Sequence, residues 1–182
     1  TSVAADTQDI VDAWAKVETL ADGNVDSADV TTTLDDIVPT ITGGTQSTAS
    51  ANGFTVTTNK PYGSNSYLIS GAFDDTSTIY ASQENGGAVT VTISADMAYS
   101  IDAYAVTVTN SGKQYGAVVL QASTDNTTWV ELDSQTLSNT RTAGRELFSL
   151  ASSDDAYRYY RLSFSSFENV NVDISEIELL RS

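Results

Sequence analysis

The sequence predicts a mainly β protein, a β-sandwich preceded by a short N-terminal α-helical hairpin, and three observations carry that prediction. Beyond Gly43-Gly44 the chain becomes Thr-, Ser- and Val-rich with turn residues at close intervals, the pattern of a sandwich of short strands. Two stretches alternate strictly: Val89, Val91 and Ile93 against Thr90 and Thr92, and Tyr160, Leu162 and Phe164 against Tyr159, Arg161 and Ser163. Ahead of the glycines, Ile10, Trp14, Val17 and Ala21 recur at helical spacing instead.

Taken in order, the first helix is expected to run from about Thr7 to Ala21, with Val11 and Leu20 flanking its stripe and Gly23-Asn24 stopping it. A second is expected from the N-cap Ser27 through Val30, Leu34 and Ile37, ended by Pro39. Asp6, Asp9, Asp26 and Asp29 sit near the two helix starts, where the helix dipole favours negative charge. Helices this short need a partner surface. Residues 1–42 are therefore read as a docking or oligomerisation segment, Gly43-Gly44 as a hinge, and residues 43–182 as the β domain. Strands are expected over 55–58, 66–70, 88–93, 101–109, 117–123, 128–133, 145–150, 157–165 and 172–180. Ile174 and Ile177 are out of phase for a regular strand, so a bulge is expected near Ser175.

Composition narrows the function. The 182 residues carry 8 basic and 24 acidic groups, a net charge of −16, which argues against a nucleic-acid surface and an anionic membrane. Neither His nor Cys is present, so no Ser-His-Asp or Cys-His set, thiolate site or disulfide can be built. No glycine-rich phosphate loop precedes a helix, and the paired carboxylates have no supporting motif, so the expectation is a protein that is not an enzyme. No stretch approaches the roughly 18 apolar residues of a membrane span. The opening Thr1-Ser2-Val3 shows no signal-peptide regions and reads as the product of Met removal, which predicts a protein made in the cytoplasm and not exported by a signal-dependent route; a fragment or a processed chain would begin in the same way.

Three segments together carry a family resemblance: Gln121-Ala-Ser-Thr-Asp-Asn-Thr-Thr-Trp129, Tyr157-Arg-Tyr-Tyr-Arg-Leu-Ser-Phe164 and Ile174-Ser-Glu-Ile-Glu-Leu-Leu180. In that order they resemble the closing half of the coagulation factor 5/8 type C (discoidin-like, galactose-binding-like) domain, whose jelly-roll β-sandwich is mostly a binding module. Ala72-Phe-Asp-Asp-Thr-Ser-Thr-Ile-Tyr80 resembles the family's Asp-Gly-Asp-x-x-Thr-x-Trp loop, one residue shorter and without its Gly. The resemblance implies a structural calcium held by Asp74, Asp75, Thr78 and Glu176, since a hard cation takes six to eight oxygens. An Asx-type turn capped by Glu176 accounts for the same residues without a metal. Trp129 is expected to anchor the core, with sugar stacking as the alternative, and Arg158 and Arg161 to pair with acids across strands.

Family members bind through loops at one end of the sandwich, which here would bring Tyr62, Tyr115, Arg141, Arg145 and Phe167 together as a candidate glycan site. The expected function is that of a structural or adhesive protein of a larger assembly at the virion or cell exterior. It resembles the fibre, appendage and capsid-decoration proteins of tailed bacteriophages, self-associating through residues 1–42 and displaying a sandwich towards cell-surface glycans. The alternative is a free-standing carbohydrate-binding module of a secreted bacterial enzyme or adhesin.

Overall fold

The computed structural model describes residues 33–64, 66–81, 88–109, 115–138, 142–151, 155–166 and 171–182. Its strands are β1 (Asp35–Asp36), β2 (Thr48–Ala51), β3 (Phe54–Thr58), β4 (Tyr80–Ala81), β5 (Val89–Tyr99) and β6 (Ala103–Val108), followed by β7 (Tyr115–Ser123), β8 (Val130–Thr136), β9 (Gly144–Ser149), β10 (Tyr157–Ser166), β11 (Asp173–Ile174) and β12 (Glu176–Arg181). They form a six-stranded sheet, β2-β3-β5-β10-β7-β8, and a four-stranded sheet, β1-β12-β6-β9, with β11-β4 as a short ribbon. Every pairing is antiparallel. This is the jelly-roll β-sandwich that the sequence predicts.

Alternation builds the core. Val89, Val91 and Ile93 of β5, Tyr160, Leu162 and Phe164 of β10, and Val118, Leu120 and Ala122 of β7 point inward from one sheet. Tyr104 and Val106 of β6 meet them with Ile177 and Leu179 of β12. The buried tyrosines keep their hydroxyls satisfied, as buried polar groups must be. Tyr104 donates to Asp133 Oδ2 (2.8 Å) and Tyr115 to Glu146 Oε2 (2.8 Å), so each sheet sends a phenol to a carboxylate of the other. Tyr160 donates to the Tyr99 carbonyl at 2.5 Å.

The hairpin turn between β7 and β8 forms as its Ser-x-Asp pattern predicts. Asp125 Oδ1 accepts the Thr127 and Thr128 N–H groups (both 2.8 Å), and Ser123 Oγ accepts those of Asp125 and Asn126. These bonds hold the Asp125 carboxyl well below its ordinary pKa. At Ser175, where a bulge within one strand was expected, the strand instead breaks in two: β11 pairs with β4 and β12 with β6.

Several expectations are corrected. The helix reaching Ile37 does not extend that far: Asp35 and Asp36 pair with Arg181 and Leu180, and the Ile37 N–H donates to the Leu179 carbonyl (2.9 Å). Val38 and Ile41 are buried in the sandwich core, so residues from Leu34 onward belong to the β domain, and the boundary at 42/43 lies too late. Gly43-Gly44 is consequently no hinge. Gly44, at φ +89°, packs so closely that a Cβ there would meet Thr48 O at 2.6 Å. The first predicted helix and the start of the second lie outside the described residues. The strand expected at 66–70 is a turn leading into a 3₁₀ helix at Ile69–Ala72.

Trp129 does not anchor the core. It lies half-buried outside it, with the Arg161 guanidinium 3.9 Å from its ring centroid. Arg161 donates to Gln121 Oε1 (2.7 and 3.1 Å), while Arg158 donates to the Ala95 carbonyl, so among the described residues these arginines meet an amide, a carbonyl and rings in place of the expected acids.

Candidate functional site

Strand register sets two poles. Thr58 lies opposite Val91, Val89 opposite Phe164, Ala117 opposite both Ser165 and Thr136, and Val108 opposite Gly144. The strand ends at these residues therefore lie together at one end of the sandwich, the loop pole.

The loop pole carries some of the predicted glycan-site residues and not others. Tyr62 stands half-buried in the loop after β3, held edge-on against Tyr67 with ring centroids 5.2 Å apart. Tyr67 was not among the expected residues, although an aromatic five positions beyond Tyr62 in the same loop was the available signal. Tyr115 is not a loop aromatic. It opens β7, is fully buried, and packs edge-on against Phe164 at 5.0 Å. Arg145 lies on β9, where its guanidinium binds both Glu178 oxygens (2.6 and 3.0 Å) in a pair that raises its pKa. Arg141 and Phe167 lie outside the described residues.

The acidic turn is brought together as the sequence suggests. Asp74 Oδ1 accepts the Thr76 N–H (3.0 Å) and hydroxyl (2.6 Å), forming an Asx turn, and the Thr76 and Thr78 hydroxyl oxygens lie 2.8 Å apart. Asp75 adopts φ +55° and accepts the Thr40 hydroxyl, while its own N–H donates to Glu176 Oε2 at 3.0 Å. Asp36 stands close enough to feel this group and accepts the Val38 and Leu179 N–H groups, both at 3.0 Å. Burial, then the charges of Asp75, Asp74 and Asp36, push Glu176 up to about 8. Crowding by the surrounding chain, with smaller contributions from Glu178 and Asp75, pushes Asp36 up to about 7 although its surface is largely open to solvent, so its share of any pH effect is reduced by screening. Among the described residues no group of three or more acidic side chains is arranged to hold a metal ion. As it stands the loop is a capped turn, and a calcium ion would compete for oxygens already engaged by backbone N–H groups.

These two carboxyls give a pH dependence of defined sign. Both pKa values are raised by folding, so the stability that their protons support is complete below about pH 4, where such groups titrate in the unfolded chain, and is lost as pH rises to about 8. The melting temperature in a chelating buffer should therefore fall by a few degrees between pH 5 and pH 8, at about 2–4 °C per kcal/mol for a chain of this size. The Asp36→Asn/Glu176→Gln double variant should show a flatter profile. An unchanged profile in that variant would place the dependence elsewhere. Calcium that raised the melting temperature of the parent at pH 8, and not that of the variant, would show a cation taking the protons' place.

A concavity lies at the opposite pole, where the sequence pointed to no site. It is a cleft of about 200 Å³ lined by Ile101, Glu131, Leu132, Leu150, Ala151, Asp155, Tyr157 and Tyr160.

No family model matches the sequence, and no curated protein matches it. Solved structures do share the fold. One is CpGH89CBM32-5 from Clostridium perfringens in complex with GalNAc-beta-1,3-galactose, with TM-score 0.58 and 14% identity over 71% of this chain and 96% of that one. A second is the family 32 CBM from C. perfringens NanJ in complex with galactose, with TM-score 0.57 and 12% identity over 71% and 94%. A third is chitosan-binding module 1 from a chitosanase/glucanase of Paenibacillus sp. IK-5, with TM-score 0.62 and 14% identity over 81% and 99%. At these identities the likeness is one of fold, and the fold is the galactose-binding-like sandwich used by carbohydrate-binding modules.

Proposed function

We propose that this chain is a non-catalytic carbohydrate-binding module that engages glycans at its loop pole, outside the cell. The observation that carries the reading is the fold itself, shared over most of the chain with whole modules described as binding galactose, a galactose-containing disaccharide or chitosan. The half-buried Tyr62, braced by Tyr67, supplies the aromatic surface on which a sugar ring can pack. A sequence without His or Cys leaves the commonest general base and thiol nucleophile out of reach. Among the described residues no helix is long and apolar enough to cross a membrane. None of the neighbours named above is described as a virion component, so a fibre, appendage or decoration role has only the sequence resemblance behind it. Self-association through residues 1–42 falls mostly outside the described residues.

The test is affinity electrophoresis and titration calorimetry of the full chain with galactose and chitosan oligosaccharides, followed by a glycan array. Binding to at least one glycan is expected, and Tyr62→Ala should weaken it about tenfold or more, the loss of one packed aromatic contact at a binding hot spot. Failure to bind any glycan, or binding that survives both Tyr62→Ala and Tyr67→Ala unchanged, would sink the reading.

A further inference from the structure

The cleft at the pole opposite the loops has the composition of a ligand site. Its floor is Ile101 and Tyr160, both buried, and its walls are Leu132, Leu150 and Tyr157, half-buried apolar groups left partly open at one spot. Tyr157 meets the Tyr160 ring edge-on, with centroids 6.2 Å apart, and Tyr160 is itself fixed through its hydroxyl to the Tyr99 carbonyl. An aromatic wall braced in this way is ordered before any ligand arrives, which lowers the entropic cost of binding. The β7–β8 register shift contributes as well. Leu120 pairs with Asp133 and Gln121 with Glu131, leaving Leu132 as the extra residue of a bulge beside the cleft.

Charge selects the ligand class. Among the described residues the lining includes two acidic side chains, Glu131 and Asp155, both exposed, and no Lys or Arg. The whole chain, at −16, also favours cations at such a mouth. A volume of about 200 Å³ falls below the roughly 300–1,000 Å³ of pockets for drug-sized ligands, so one small ring fits and an oligosaccharide does not. We infer that this cleft is a second binding site, separate from the loop pole, for a single protonated amino-sugar residue. The apolar face of its ring lies on Leu132, Leu150 and Tyr157, and its ammonium is held by the carboxylates of Glu131 and Asp155. The choice of a sugar over another small ammonium rests on the glycan-binding reading; the cleft and its charge do not.

The experiment is a chemical-shift titration of the full chain with glucosamine, N-acetylglucosamine and cyclohexylamine. Glucosamine should move the signals of Ile101, Leu150 and Tyr157, and N-acetylglucosamine, which has lost the ammonium, should not. Glu131→Gln combined with Asp155→Asn should weaken glucosamine binding about tenfold or more, the loss expected when charge-assisted hydrogen bonds are removed, and Tyr62→Ala should leave it unchanged. Equal binding of N-acetylglucosamine, or no effect of the acidic substitutions, would overturn the inference. Glucosamine shifts confined to Tyr62 and Tyr67, with Ile101, Leu150 and Tyr157 unmoved, would overturn it too. Cyclohexylamine binding as well as glucosamine would reduce the cleft to a site for any small ammonium and overturn the amino-sugar assignment. A loop pole that binds no glycan while the cleft still titrates with glucosamine would defeat the reading of the loop pole and leave this one standing.

Discussion

Leu162→Ala should cost about 2–5 kcal/mol, the range for truncating a fully buried leucine. Leu162 sits at the middle of β10, the strand that the six-stranded sheet is built around, opposite Val91 on one side and Leu120 on the other. It is fully buried, and its neighbours are held on both sides by ladder hydrogen bonds, so the cavity cannot collapse cheaply. Trp129→Ala is the informative contrast. Trp129 is larger, but it is half-buried outside the core and its described partner is Arg161, so its loss should cost about 0.5–2 kcal/mol, the span of such cation–π contacts. Urea denaturation of both variants tests this, read at the midpoint with an unchanged slope. If Trp129→Ala proves as costly as Leu162→Ala, Trp129 is a core residue and its placement here is wrong.

The second large effect concerns the start of the β domain. Deleting residues 1–33 should leave a cooperatively melting sandwich, because the compact unit begins at Leu34. Extending the deletion through Thr42 should cost about 3–6 kcal/mol more, the burial of one valine and one isoleucine side chain at about 1.5–3 kcal/mol each. The residues in question are Val38 and Ile41, and with them go the Ile41 N–H bond to the Phe73 carbonyl (2.7 Å) and the Ile37 N–H bond to Leu179. Against a total stability of about 5–15 kcal/mol, that loss can abolish folding. Thermal and urea melts of the two truncations decide. Equal stability would restore the boundary at residue 42.

The sandwich was legible where period-two alternation ran for several residues, as in β5 and β10, and where a turn carried its own chemistry, as at Ser123-Thr-Asp125. It was illegible where a bulge changed the phase. In regular β7 alternation Tyr115 belongs with Ala117 and Val119 on the outer face. The register shift between Ser165 and Ser166 adds a residue at that point and turns Tyr115 into the core. A flanking Gly and a polar run made it look like a loop residue. The strand β1 was missed for a different reason. Two aspartates carry no hydrophobic pattern, while Val30, Leu34 and Ile37 imitate a helical stripe; in the structure Ile37 packs on the main core and Leu34 on a separate cluster of Ala103, Ala105 and Leu180. The acidic turn was readable because Asx chemistry is local. The cleft at the far pole was not, since its walls come from four separate stretches of chain.

The pairing of Asp35 with Arg181 has a mechanical consequence. The domain's first and last strands lie side by side, so the chain enters and leaves at the same end, away from the loop pole. A tether on either side of the domain therefore leaves the loops facing outward. A force applied between the two attachment points acts on the β1–β12 ladder from its open end, breaking its hydrogen bonds one after another as a zipper opens, whereas strands pulled lengthwise past each other load all their bonds at once. The two-residue β1 should give way first and release slack, leaving Leu162 and the crossed tyrosine–carboxylate bonds of the interior unloaded until the clasp has opened.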